Sequence, residues 1–241
     1  MADSFSSVVE FKGNGQAISG FLAQPVKEGV YPGIIVIHEW AGLLDHVKEV
    51  CMHLARQGYA ALAPDLFHGR IGRSVEENMQ LSGSLDDASA LRDLGAGLSY
   101  LQGLPFVTRD RIGCIGFCMG GRLSLLFTEH NQALTAGVVF YGGVFNREIT
   151  ENKPKHPYDL LANIRCPLLG IYGEADASIP MDHVAKLREA LTGQSKTFEL
   201  YTYPGAQHAF HNDTNPERYH PEAARDAWDK ALKFFEKYLK K

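Results

Sequence analysis

Residues 116–121 read Gly-Phe-Cys-Met-Gly-Gly and follow the apolar run Arg-Ile-Gly-Cys-Ile. A strand that turns at once into a helix brings backbone segments too close for side chains, so Gly116, Gly120 and Gly121 fit such a junction. The same turn would lift Cys118 above the edge of a sheet. It would also set the thiol at a helix N-terminus, where partial positive charge favours a thiolate. The alternative is a small buried cysteine packed between glycines. A thiol nucleophile needs a base, and the base needs an orienting acid. Asp176 follows the apolar run Leu-Leu-Gly-Ile-Tyr-Gly, and His208 follows Phe-Glu-Leu-Tyr-Thr-Tyr. Both therefore fall just beyond strands. The three residues come in the order nucleophile, acid, histidine.

Each partner has a plainer reading. Asp176 could cap the helix beginning near Pro180, although Ser178 is better placed for that, and Glu174 competes with it as the acid. His208 alone could be a surface loop residue. His208 and His211 at i,i+3, with Asp213 close by, suggest a metal, but no third ligand stands at a recognisable spacing. A further strand ends in His-Glu-Trp at residues 38–40. The Trp40 N–H could join that of Met119 to receive the oxyanion of acyl transfer. Glu39 is either a solvated loop carboxylate or a group facing the thiol, and His38 reads as structural.

The elements that must position these groups alternate along the chain. Two strand patterns, SSVVEF and AISGFLAQP, flank KGNGQ, whose Asn-Gly marks a hairpin. YPGIIVIHEW is continuously apolar, as in a strand buried on both faces. A helix follows, with Val47, Val50, Cys51, Leu54 and Ala55 at helical spacing, then the short strand AALAPDLF. Residues 67–83 have little periodicity and read as a long irregular excursion. The next helix carries Ala88, Leu91, Leu94, Leu98 and Leu101 on one stripe. Strand and helix then alternate to a last helix bearing Ala224, Trp228, Leu232, Phe235 and Leu239. Such repeats imply an α/β fold, a mostly parallel sheet with an antiparallel N-terminal hairpin and helices on both faces. No linker divides the chain, so residues 1–241 are expected to form a single domain. In that fold Cys118, Asp176 and His208 share the carboxyl edge of the sheet, where ligands bind.

The composition is that of an ordinary globular chain, 45% hydrophobic and 22% charged, with a net charge of −4. No basic face gathers, so neither nucleic acid nor an anionic membrane is an expected partner. The opening residues lack a basic region followed by an apolar stretch, and no apolar run approaches the length of a bilayer span. The expectation is a cytoplasmic protein with reduced thiols, monomeric by default.

Cysteine in the turn, together with HEWAGL, PDLF, FYGG, YGEAD..IP and YPGAQHAFHN, resembles the dienelactone hydrolase family (carboxymethylenebutenolidases) over essentially the whole chain. The resemblance implies an α/β-hydrolase fold with the cysteine form of the nucleophile elbow. It implies Cys118 as nucleophile, His208 as base, Asp176 as orienting acid and the Trp40 and Met119 amides as oxyanion donors. It also implies Glu39 as the carboxyl that hydrogen-bonds the resting thiol and helps to ionise it. No cofactor is implied, and the expected partner is a small lactone or ester. Members of the family hold a substrate carboxylate with an arginine four residues after the histidine, where this chain has Asn212. A second family arginine lies in the excursion that here contains Arg70 and Arg73. Trp40, Phe67 and Tyr141 are expected to wall the substrate pocket. Two other functions stay open at this point: a broader carboxylesterase or peptidase of the same fold, and a non-catalytic scaffold that binds a ligand or senses oxidants through Cys118.

Overall fold

The computed structural model describes residues 4–13 and 15–240. Asn14 of the expected hairpin turn lies outside the described residues. The elements run β1 (Ser4–Gly13), β2 (Gln16–Pro25), β3 (Tyr31–Ile37), α1 (Asp45–Arg56), β4 (Ala60–Pro64), α2 (Val75–Ser84), α3 (Asp87–Gly103), β5 (Val107–Phe117), α4 (Met119–His130), β6 (Ala136–Phe140), β7 (Leu168–Gly173), α5 (Met181–Gly193), β8 (Phe198–Tyr203) and α6 (Pro221–Leu239). A 3₁₀ turn, Pro157–Asn163, precedes β7.

Eight strands make one sheet in the order β1-β2-β4-β3-β5-β6-β7-β8. β1 and β2 pair antiparallel, and β2 joins β4 the same way. From β4 to β8 every pairing is parallel. The central strands are apolar along their whole length because both of their faces are covered. Alternation still decides which face each residue takes. Ile34, Val36, Ala61, Ala63 and Ile115 pack with Val47, Val50 and Leu54 of α1 and Ala227 and Phe235 of α6. Ile35, Ile37, Leu62 and Cys114 point the other way, onto Leu94, Leu98 and Leu101 of α3. Each fully buried aliphatic side chain of this kind adds about 1.5–3 kcal/mol of transfer free energy. This is the mostly parallel sheet with an antiparallel N-terminal hairpin and helices on both faces that the alternation of strands and helices implies, and it agrees with the α/β-hydrolase fold that the resemblance implies.

Two readings are corrected. The excursion after β4 is irregular only as far as Ser74; Val75–Ser84 is helical. The Ser74 hydroxyl accepts from Glu77 N–H, and Glu77 Oε2 accepts in turn from Arg73 N–H, a reciprocal cap that starts the helix. Only Leu81 of α2 is buried, which is why no apolar period announces it. In α3 the buried stripe begins at Asp87 and Ala90 rather than at Ala88, which is exposed. Asp87 turns inward because it meets Arg122 of α4 in a two-pronged ion pair, both contacts at 2.7 Å.

Candidate active site

Three parallel strands deliver the chemistry to one edge of the sheet. β5 ends at Phe117 and α4 begins at Met119, so Cys118 alone makes the turn. Its backbone stands at φ 55° and ψ −115°, a conformation that costs a non-glycine residue energy. The neighbouring glycines are required by space. A Cβ on Gly116 would strike the Gly120 carbonyl, one on Gly120 the carbonyls of Ile37 and His38, and one on Gly121 the Phe140 carbonyl. The elbow is also pinned from below, since Cys118 N–H donates to Phe140 O at 3.1 Å. Met119 is the first residue of α4, so its N–H lies outside the helix's own ladder and is free to face a ligand.

Asp176 sits three residues beyond β7 and is buried. Its Oδ1 accepts from Ser178 N–H at 2.7 Å and Ile179 N–H at 3.1 Å. Its Oδ2 accepts from Nδ1 of His208 at 2.7 Å, which leaves Nε2 of that ring for the thiol. Helix α5 has Pro180 at its N-cap and no side-chain cap, so neither Asp176 nor Ser178 caps it. Glu174 turns outward, where its Oε1 accepts from the Thr202 hydroxyl. Burial pushes His208 down, but hydrogen bonds to Asp176 and Cys118, reinforced by their charges, outweigh it and hold the imidazole at about 10. Tyr141 lies edge-on to the His208 ring, centroids 5.3 Å apart. Backbone strain collects here: of the five described non-glycine residues with positive φ, Cys118, Tyr141 and Ala209 all belong to this neighbourhood.

The loop after β3 supplies the third side. His38 is buried, donates through Nδ1 to Glu39 O and accepts at Nε2 from Leu66 N–H. Burial lowers its pKa, so it is a neutral brace between two loops. Gly42, at φ 102°, donates to Glu39 O and closes a turn that carries Trp40 across the sheet edge. Glu39 does face inward. Burial raises its pKa, while the charges of His46 and His208 and a hydrogen bond from Asn212 work against the rise.

The remaining expected residues are placed as follows. Phe67 is closed to solvent behind His38, with ring centroids 4.9 Å apart, and Tyr141 is equally buried behind His208. Arg70 is exposed and folds back to donate to Phe67 O, and Arg73 is exposed too. Asn212 gives its amide to Glu39 Oε2 at 2.8 Å. His211 packs among Phe117, Phe140 and Trp228, and burial drops it to about 3, so it is neutral. Among the described residues no group of three or more His, Cys, Asp and Glu side chains could hold a metal. Two side chains escaped the sequence reading. His46, at the start of α1, acts on Glu39 and reaches Asp213 at 3.5 Å. Thr214 binds the Asn212 side chain. Neither carried a motif; their importance comes from where the loops fold.

Comparison with known proteins gives the site its context. The model of the dienelactone hydrolase family matches residues 18–239. A Methylorubrum extorquens protein named "Putative carboxymethylenebutenolidase" is 36% identical over 226 residues, 92% of this chain and 77% of its own. A Bradyrhizobium protein named "Probable 2-oxo-3-(5-oxofuran-2-ylidene)propanoate lactonase" is 33% identical over 96% of this chain and 94% of its own. The crystal structure titled "Putative Dienelactone Hydrolase" from Klebsiella pneumoniae superposes with a TM-score of 0.92 at 34% identity, covering 98% of this chain and 99% of that one. The match in sequence and in fold runs nearly end to end, and the chain thus belongs to the dienelactone hydrolase family, a hydrolase of esters and lactones.

Proposed function

We propose that this hydrolase works through a Cys118–His208–Asp176 triad on activated esters and lactones. The observation that carries the reading is the 2.7 Å hydrogen bond from His208 to Asp176, on an imidazole that also feels a thiol held on a strained turn. Asp176 fixes the tautomer and supports a positive imidazole, and the imidazole in turn supports a thiolate. The thiolate attacks the carbonyl carbon, and the oxyanion is received by the N–H groups of Trp40 and Met119. When the C–O bond breaks, the electron pair leaves with the oxygen, the His208 imidazolium gives that oxygen its proton, and a Cys118 thioester remains beside a neutral imidazole. His208 then takes a proton from water, the resulting hydroxide cleaves the thioester, and the proton returns to the departing sulfur.

A thiolate is itself a good leaving group, so the tetrahedral intermediate partitions forward only when the departing oxygen is stabilised, as an enolate or phenolate is. The expected substrates are therefore enol-lactones and aryl esters, in keeping with the lactonase name of the Bradyrhizobium relative. Because one sheet runs from β1 to β8, we read residues 1–241 as one catalytic domain, and we keep the cytoplasmic, monomeric expectation drawn from the sequence. The test is Cys118→Ala, assayed on an enol-lactone, aryl esters and peptide substrates. Turnover on the first two should vanish while the circular dichroism spectrum is unchanged, and iodoacetamide labelling of Cys118 in the parent should abolish activity in step. Hydrolysis that survives in Cys118→Ala would refute the nucleophile, and efficient peptide cleavage would refute the substrate class.

A further inference from the structure

We propose that Asn212, locked in one orientation by Thr214, is a positioning residue that fixes Glu39 so that only Oε1 is offered to the thiol. The inference rests on the proposed triad, and it concerns an atom-level choice that the triad leaves open. Asn212 could in principle present either its oxygen or its NH₂ to Glu39. Thr214 decides between them. Its backbone N–H donates to Asn212 Oδ1 at 3.0 Å and its hydroxyl donates to the same oxygen at 2.6 Å. Reversing the amide would set its NH₂ against a backbone N–H, so the NH₂ must face Glu39. There it donates to Oε2 at 2.8 Å, while Oε1 is buried without a hydrogen-bond partner among the described residues.

A buried carboxyl oxygen left unpaired is costly, and such atoms mark places where a ligand or a reacting proton is received. The groups that act on or feel Glu39 come from three places: His46 from α1, His208 and Asn212 from the loop after β8, and Tyr141 after β6; Cys118 at the elbow acts on Tyr141 and His208 and so shares these neighbours. His46 and His208 favour the ionised carboxyl, burial opposes it, and the neutral amide of Asn212 adds a bond without adding a charge. A cation at residue 212 would add a further charge favouring the ionised carboxyl. The amide holds its position and leaves Oε1 free to accept from the Cys118 thiol before the thiol proton passes to His208.

The sign of the effect follows. The Asn212 bond lowers the Glu39 pKa, so its removal lets burial push that pKa further up. In Asn212→Ala the acid limb of kcat/KM, and of Cys118 alkylation by iodoacetamide, should move to higher pH. The rate at pH 6 should fall about tenfold, the scale of one hydrogen bond to a charged group. Thr214→Val should move the limb the same way by less, and Thr214→Ser, which keeps both donors, should restore the parent profile. In a Glu39→Gln background Asn212→Ala should change neither profile further. A rate loss in Asn212→Ala with an unmoved limb would overturn the proposal, as would a further shift in the Glu39→Gln background or a failure of Thr214→Ser to rescue. If Cys118→Ala retains hydrolysis, the triad reading falls and this inference with it; if Cys118→Ala is inactive and the limb stays put, this inference falls alone.

Discussion

At Cys118 the backbone stands at φ 55° between glycines crowded by neighbouring backbone, and the thiol it carries acts on His208. The charge state of that histidine depends on Asp176. Burial acts to lower the His208 pKa, and it stays near 10 because Asp176 and Cys118 bond to it and surround it with negative charge. Asp176→Asn removes the charge and turns an acceptor into a group able to donate. The imidazole would then lose its support, and its pKa would fall. In the parent enzyme the alkaline limb of kcat/KM should appear near pH 10. In Asp176→Asn that limb should move to lower pH, and kcat should drop by roughly 10³–10⁴, the cost of a misdirected tautomer in comparable triads. Rates measured from about pH 5 to pH 11 on a stable aryl ester would check both. An unmoved limb would mean that Asp176 only packs against the ring.

At the scale of elements, the junction of β5 with α4 depends on close backbone approach, and substitution should read that directly. Gly120→Ala would press a methyl group onto the carbonyls of Ile37 and His38, moving α4 away from β3 and spreading the two proposed oxyanion donors. We expect a loss of about 1–3 kcal/mol in urea denaturation, with activity falling by far more than stability accounts for. Gly83, in the last turn of α2, has open space where a methyl group would sit, so Gly83→Ala should instead add about 0.5–1 kcal/mol. The contrast also explains what the sequence made legible. The elbow could be read because glycines at 116, 120 and 121 are needed by local geometry that any chain making this turn must meet. Asp176 and His208 could be read because parallel strands put their following loops on one edge. Helix α2 was hidden because it buries one leucine, although the Ser74–Glu77 cap was present to be seen. Asn212 was noticed for its place in the family pattern, but its partnership with Glu39, 173 residues away in sequence, arises only from the fold.

Across the whole molecule, Arg122 on α4 ties the helix that follows the Cys118 turn to its surroundings. Its guanidinium grips Asp87 at the start of α3 with two bonds and Asn146 in the loop after β6 with a third at 2.6 Å. That commitment leaves Glu129, further along α4, without a partner. Both of its carboxyl oxygens are buried and neither has a hydrogen bond among the described residues. Burial raises its pKa to about 9; Arg122 lowers it somewhat, and Asp159 in the 3₁₀ turn raises it again. The folded-state pKa thus lies above the unfolded value of 4.5. Stability contributed by the neutral carboxyl is fully present below that lower value and is lost as the pH rises through the folded one. Glu129→Gln keeps the size of the side chain and removes the titration. At pH 8 the variant should melt roughly 5 °C above the parent, the scale expected for relieving about 2 kcal/mol in a chain of this length. By pH 4.5 the two melting temperatures should converge. A difference that does not depend on pH would show that the amide helps through packing alone, and that Glu129 is satisfied by water or by a shifted Arg122.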